Sequence, residues 1–292
     1  MPNMRDIRIR MKSIGQTLQI TSAMKLISTA KLRRARVQLM QTEPYFDKVR
    51  EVMRDIIRHS DDVRDEFFHI HKLKGRKPKR AFLVITSDKG LAGGFNHNII
   101  NLAEDSMREG ECDFVILLGT IGARYFSRTN ASILETFKYS KGVPTVYDAK
   151  DIAYFITAQY EANVIDEFHI VYTHMYSSVK LMPECIKVLP LEQNIFGKNV
   201  DMVQTDSRLN YSPSPAAVLR ALVPKYITGA IYGAMVENFA SEHSARMAAM
   251  DNATKNANEM LNGLRLSYNR LRQGAITQEV TEIVAGAAAL NT

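Results

Sequence analysis

The chain has 292 residues, 46% hydrophobic and 24% charged, with a net charge of +7. That length allows one large domain or two ordinary ones, and the composition excludes a disordered chain. Two cysteines far apart, Cys112 and Cys185, exclude a disulfide framework, and no apolar run approaches the roughly 20 residues of a bilayer crossing. The mild basic excess points to an acidic partner without choosing between nucleic acid, anionic lipid and protein. The opening stretch "MPNMRDIRIRMKSIG" lacks the apolar centre of a secretion signal and reads as mature protein.

The first segment, residues 1–60, predicts one long helix from Met4 to about His59. Ile7, Met11, Ile14, Leu18 and Thr21 alternate steps of four and three, the spacing of a coiled-coil seam. Uninterrupted, this helix would span about 80 Å, more than a compact domain needs for its own core. Pro44 is expected to kink it or to end its first part.

A basic linker, "HKLKGRKPKR", precedes the middle segment, residues 79–210. There "AFLVIT" (81–86), "FVILLG" (114–119), "FHIVYTHM" (168–175) and "IKVLPL" (186–191) read as strands. "HNIINLAEDSMR" (97–108), "GARYFSR" and "DAKDIAYFITAQYEAN" (148–163) read as helices between them. This alternation predicts a mostly parallel sheet with helices on its faces.

The third segment, residues 211–292, opens on "NYSPSP", whose prolines suit a helix start. No strand signal follows. Pro224 is expected to bend the helix at its beginning. A seam then runs through Val236, Ala240, His243, Met247, Met250, Thr254, Ala257, Leu261, Leu264, Tyr268 and Leu271 in strict alternation. Many of these residues are small or polar, which permits close approach. After Gly274 the pattern is expected to slip phase and resume at Ile276, Val280, Ile283 and Val284. The fold class is therefore α/β: a long antiparallel coiled coil of N- and C-terminal helices with an inserted Rossmann-like α/β domain at one end.

Between Ile7 and Thr42 there is no acid, while Arg8, Arg10, Lys12, Lys25, Lys31, Arg33, Arg34 and Arg36 all fall there. A solvated helix gains from opposite charges at i,i+4, and this one forgoes them. Either the face is simply solvated, or a negatively charged surface lies against it. Met24, Leu26 and Ile27 are interleaved with the charges. A basic coiled-coil protein lying along nucleic-acid phosphates is the alternative reading of the same pattern.

The loop "SDKGLAGGFN" (87–96) follows a strand, as phosphate loops do. Its Lys89 precedes the first glycine instead of following the last, so it fails the phosphate-loop pattern. Gly90, Gly93 and Gly94 also lack dinucleotide-fold spacing, and read as backbone geometry. His169 and His174 sit in one strand without ligand-spaced carboxylates or cysteines, and His69 and His71 lie by the linker; all read as core or surface histidines. Asp148 and Asp151 begin a helix, where carboxylates stabilise the dipole. No nucleophile–base group can be assembled.

"MRDIRIRMKSIGQTLQITSAMKLISTAKLRRAR", "SDKGLAGGFN", "MVENFASEHSARMAAMDNATKNA" and "NRLRQGAITQEVTEIVAGAAA" together resemble the gamma subunit family of F-type ATP synthases, over essentially the whole chain. The resemblance implies a non-catalytic central rotor shaft, with no catalytic residue, cofactor or metal of its own. It would be present as one copy per complex. It would stand inside a hexamer of alpha and beta subunits, its α/β domain on the membrane ring of c subunits and beside epsilon, and no nucleic acid would be a partner. By the same resemblance, Lys31, Arg33, Arg34 and Arg36 supply a basic face toward beta. Met24 meets its moving segments, and Arg272, Gln273, Thr277 and Glu279 meet a catch loop on beta. Arg246 falls at a position linked to coupling, Tyr211 lies in the foot on the c ring, and "EIVAGAAAL" turns in an apolar sleeve. The absence of a plastid-type redox cysteine pair and of an evident presequence implies a bacterial plasma-membrane complex, with this subunit peripheral on the cytoplasmic side. The coupling ion, the c-ring size and the prevailing direction are not encoded here.

Overall fold

The structure, a computed structural model, describes residues 3–59, 67, 76–108, 113–140, 142–177, 180–191 and 211–290. Cys112, His69, His71, Asn210 and the first half of the basic linker lie outside the described residues. The chain divides into two compact units: Met1–Thr29 with Arg246–Thr292, and Ala30–Ala245. Two long helices, α1 (Met4–His59) and α5 (Pro215–Leu290), contribute to both.

Pro44 does not end α1, which continues to His59. Its ring sits on the exposed side of the helix, where water can satisfy the carbonyl left without a donor. Helix α5 likewise continues through Pro224. It starts where Ser214 accepts a hydrogen bond from the Ala217 N–H at 3.2 Å, a side-chain cap directly before Pro215.

In the larger unit, a five-stranded sheet has the order β3-β2-β1-β4-β5. The strands are β1 (Arg80–Ile85), β2 (Asp113–Leu118), β3 (Ser132–Phe137), β4 (Glu167–Met175) and β5 (Leu181–Leu189). Between them run α2 (Phe95–Met107), α3 (Thr120–Phe126) and α4 (Val146–Glu161). β1 to β4 are parallel, and β5 turns back antiparallel beside β4. β3 is absent from the sequence reading. It is an edge strand with mostly exposed side chains, so it carries no buried apolar run to read. α4 begins with a capping box between Thr145 and Asp148, which gives the acid at its start a structural task.

Alternate residues of the strands feed two cores. Ala81, Leu83 and Ile85 point to a large core shared with α4 and with the halves of α1 and α5 that belong to this unit. Phe82 and Val84 point to a smaller core under α2 and Phe126 of α3. On the large-core side the two long helices come very close. A Cβ on Gly229 would lie 2.4 Å from the Phe46 ring, so only glycine fits there.

In the smaller unit, α1 and α5 pair antiparallel. Arg8 Nη2 donates to the Tyr268 hydroxyl at 2.7 Å. Thr21 and Thr254 share a hydrogen bond of 2.8 Å, and Lys25 Nζ reaches Asp251 at 2.5 Å. Thr29 Oγ1 donates to Met247 Sδ at 3.4 Å. Each advance along α1 is matched by an equal retreat along α5, within a residue, so the register holds through these contacts. The buried or half-buried residues Ile7, Met11, Ile14, Leu18 and Thr21 face Met250, Thr254, Ala257, Leu261, Leu264, Tyr268 and Leu271, all buried or half-buried. The expected phase slip does not occur. The next half-buried residue is Ala275, in step, while Ile276, Val280, Ile283 and Val284 are all more than half exposed. In this register Met4 stands opposite the neighbourhood of Arg272, so the apolar residues beyond have no described α1 residue facing them.

Candidate functional site

The sequence-derived residues fall on both units. In the smaller unit, Arg272, Gln273, Thr277 and Glu279 are all exposed, on the stretch of α5 past its pairing with α1. The exposed apolar residues Ile276, Val280, Ile283 and Val284 alternate with them. An uncovered helix bearing both charged and apolar residues suits a partner that surrounds it. Met24 is half-buried beside the seam, and Leu26 and Ile27 next to it are exposed. Arg246 is only 6% exposed, so its guanidinium works within its own chain.

In the larger unit, Arg33 and Arg34 are exposed and have no ion pair among the described residues. Lys31 and Arg36 differ. Lys31 Nζ sits 5.8 Å from the centre of the Phe239 ring, a cation–π distance. Arg36 Nη2 donates to Met175 Sδ at 3.6 Å. Two of the four basic residues therefore project outward and two brace the unit. Tyr211 donates to Asp55 Oδ2 at 2.8 Å. Burial first, then the Asp55 hydrogen bond and charge, push its phenol up to about 12.

Open α/β sheets bind ligands at the carboxyl ends of their strands, where the strand order reverses. Here that point lies between β1 and β4. It is occupied by the chain itself. Asn238 Oδ1 accepts from the Thr173 N–H at 2.9 Å, and Ser241 Oγ donates to the Thr173 carbonyl at 3.0 Å. Asn238 and Ser241 are fully buried, and Glu242 and His243 nearly so. The glycine-rich loop is also spent internally. Ser87 Oγ donates to the Lys89 carbonyl, and the Ser87 N–H donates to Asn96 Oδ1. Asp88 Oδ1 accepts from the N–H and hydroxyl of Thr120, capping α3. An Asp at that cap would repel a phosphate. Of the three loop glycines, only Gly93 adopts a left-handed φ, +61°, so the geometric requirement rests on one of them.

His169 stacks on Phe82 at 4.9 Å and meets Glu167 at 3.1 Å. His174 Nδ1 lies 2.6 Å from Glu237 Oε2, and burial raises the Glu237 carboxyl above its usual range. Both histidines serve packing and pairing. Sequence reading missed Glu237, Asn238 and Ser241. A signal was present: "MVENFASEH" places polar residues all round a helix otherwise apolar in composition, and those on the buried side need partners.

The described residues thus show a coiled pair of helices with an uncovered apolar end in one unit, and in the other an α/β sheet whose crevice at the strand ends is filled by side chains of α5. The ATP synthase family model matches residues 3–290. The ATP synthase gamma chain of Ruminiclostridium cellulolyticum is 49% identical over 99% of both chains. That of Acetivibrio thermocellus is 44% identical over 99% of this chain and all of the relative. Among solved structures, a chain of the Euglena gracilis mitochondrial ATP synthase OSCP/F1/c-ring assembly shares the fold. Its TM-score is 0.70 at 17% identity, covering 98% of this chain and 94% of that one. The chain belongs to the ATP synthase gamma-chain family.

Proposed function

We propose that this chain is the central rotor shaft of an F-type ATP synthase, linking rotation of a c ring to the conformational cycle of catalytic beta subunits. The observation that carries this is relationship to ATP synthase gamma chains from end to end. The chain itself performs no catalysis. No described helix is long and apolar enough to cross a membrane, which fits a peripheral subunit of a membrane-associated complex.

Particular residues take particular roles in this reading. Arg33 and Arg34 face acidic segments of beta, with Met24 beside them, while Lys31 and Arg36 hold the basic segment against its own α/β unit. Arg272, Gln273, Thr277 and Glu279 engage beta through polar contacts. Ile276, Val280, Ile283 and Val284 turn within an apolar sleeve made by alpha and beta. Arg246, being buried, influences coupling by fixing its own helix. Tyr211 and Asp55 stiffen the foot that sits on the c ring, beside epsilon, and exposed Tyr147 and Tyr154 on α4 leave an aromatic surface there for a protein contact. One copy serves each complex, on the cytoplasmic side of a bacterial plasma membrane.

Co-expression with alpha and beta, followed by purification on a tag placed on beta, tests the reading. This chain is expected in the complex at one per three beta subunits. Removing residues 280–292 is expected to lower rotary torque while leaving nucleotide binding by beta intact. Normal coupled turnover by alpha and beta without this chain would overturn the proposal.

A further inference from the structure

All three residues that end β4 are held by the long helices. Asn238 and Ser241 of α5 take the N–H and carbonyl of Thr173, at 2.9 and 3.0 Å. Glu237 of α5 pairs with His174 at 2.6 Å. Arg36 of α1 reaches the sulfur of Met175. Pairing with β1 stops at Val84–Val171, two residues short of Thr173. Side chains of α5 thus satisfy a backbone site that the sheet leaves open.

Helix α5 also joins the large core through the apolar side chains of Leu219, Val223, Ile227, Ile231 and Met235, all fully buried. Apolar contact is strong but non-directional, so it resists separation better than it resists turning. Hydrogen bonds are directional. Turning α5 by one residue about its axis, about 100°, would carry Asn238 and Ser241 away from Thr173 together. Both side chains are buried, so water could not replace the lost bonds.

We propose that the Asn238–Thr173–Ser241 clasp, with Glu237–His174 beside it, is the torque-bearing joint that fixes the rotational setting of α5 against the α/β sheet. The inference rests on the rotor reading. Asn238 and Ser241 are positioning residues: they transmit rotation and touch no nucleotide. Helix α5 continues unbroken past Arg246, so a twist blocked at the clasp is carried along the helix.

The test uses the complete ATP synthase carrying Asn238→Leu with Ser241→Ala, which keep the space filled while removing the bonds. A bead is attached to the α/β unit, the hexamer is fixed to a surface, and the angular spread of the bead is recorded while catalysis is paused. The expected result is an angular variance at least about twofold wider than in the parent, with the ATP hydrolysis rate of the detached hexamer unchanged. Ser241→Thr, which retains the hydroxyl, is expected to restore the parent variance in the Asn238 background. Unchanged variance in a rotating complex would overturn the joint while leaving the rotor reading standing. A parent complex that never rotates the bead would instead overturn the rotor reading. Should the double variant not assemble, Ser241→Ala removes one hydroxyl only, and the same widening or its absence decides the matter.

Discussion

Met53 and Leu26 lie on the same helix, yet Met53 is fully buried and Leu26 is 71% exposed. The contrast follows the division of the chain. In the larger unit, α1 contributes Leu32, Ala35, Val49, Met53 and Ile56 to a core shared with a sheet and two further helices. In the smaller unit, two helices share one seam, and Ile9, Ile20, Leu26, Ile27, Met260 and Leu266 remain exposed. A helix gains most of its stability from packing one face. The larger unit supplies that packing from its own sequence. The smaller unit packs one seam and leaves these apolar side chains exposed.

The largest expected effect is therefore asymmetric along a single helix. Met53→Ala should destabilise the isolated chain by about 3 kcal/mol, the cost of a core cavity. Leu26→Ala should change it by less than about 0.5 kcal/mol, as at an exposed site. Urea unfolding of the two variants measures both. Equal losses would mean that the smaller unit is as self-sufficient as the larger. Hydrogen exchange offers a finer view. Amides of residues 30–57 should exchange at the global unfolding rate, and those of residues 5–28 much faster in the isolated chain.

Within the smaller unit, the Thr21–Thr254 pair sharpens the comparison. Thr21→Val alone leaves the Thr254 hydroxyl with one partner fewer in a half-buried seam. So does the reverse change. Each single variant should lose about 1 kcal/mol, and the double variant should lose about 1 kcal/mol and no more, giving a coupling near 1 kcal/mol in a thermal-melt cycle. Additive losses would show that the seam is wet and the bond carries nothing.

The same division explains what could be read from the sequence. Both long helices and the seam spacing were legible, because an apolar stripe with period 3.5 is a local signal. Four strands were legible as buried runs. β3 was not, since an edge strand such as Ser132–Phe137 has little apolar patterning. The helix from Met4 to about His59 was legible, and of the two effects expected of Pro44 the ending does not occur, because a proline on an exposed face costs less than one in the core. The end of the seam near Ala275 was misread as a slip. Ile276, Val280, Ile283 and Val284 look like core residues to any rule that counts hydrophobicity, and only the register against α1 shows that no described residue of α1 faces them. Asn238 and Ser241 were missed because their partner is backbone, and no residue pattern marks which carbonyl a strand leaves open.

The smallest expected effect concerns pH. Asp251 is held below its usual carboxylate range first by its hydrogen bond from Lys25, then by that from Lys255. A depressed carboxyl contributes stability that is present above its unfolded value, 3.8, and disappears as pH falls through its lower folded value. Between pH 7 and 5 helicity of the paired segment should be flat, and below 3.8 it should decline. Asp251→Asn should remove that contribution to the decline, while leaving the larger unit's near-ultraviolet circular dichroism unchanged. Because both partners are partly exposed, salt should blunt the effect. A core-like dependence, insensitive to salt, would place Asp251 in a drier setting than the open seam of this helix pair allows.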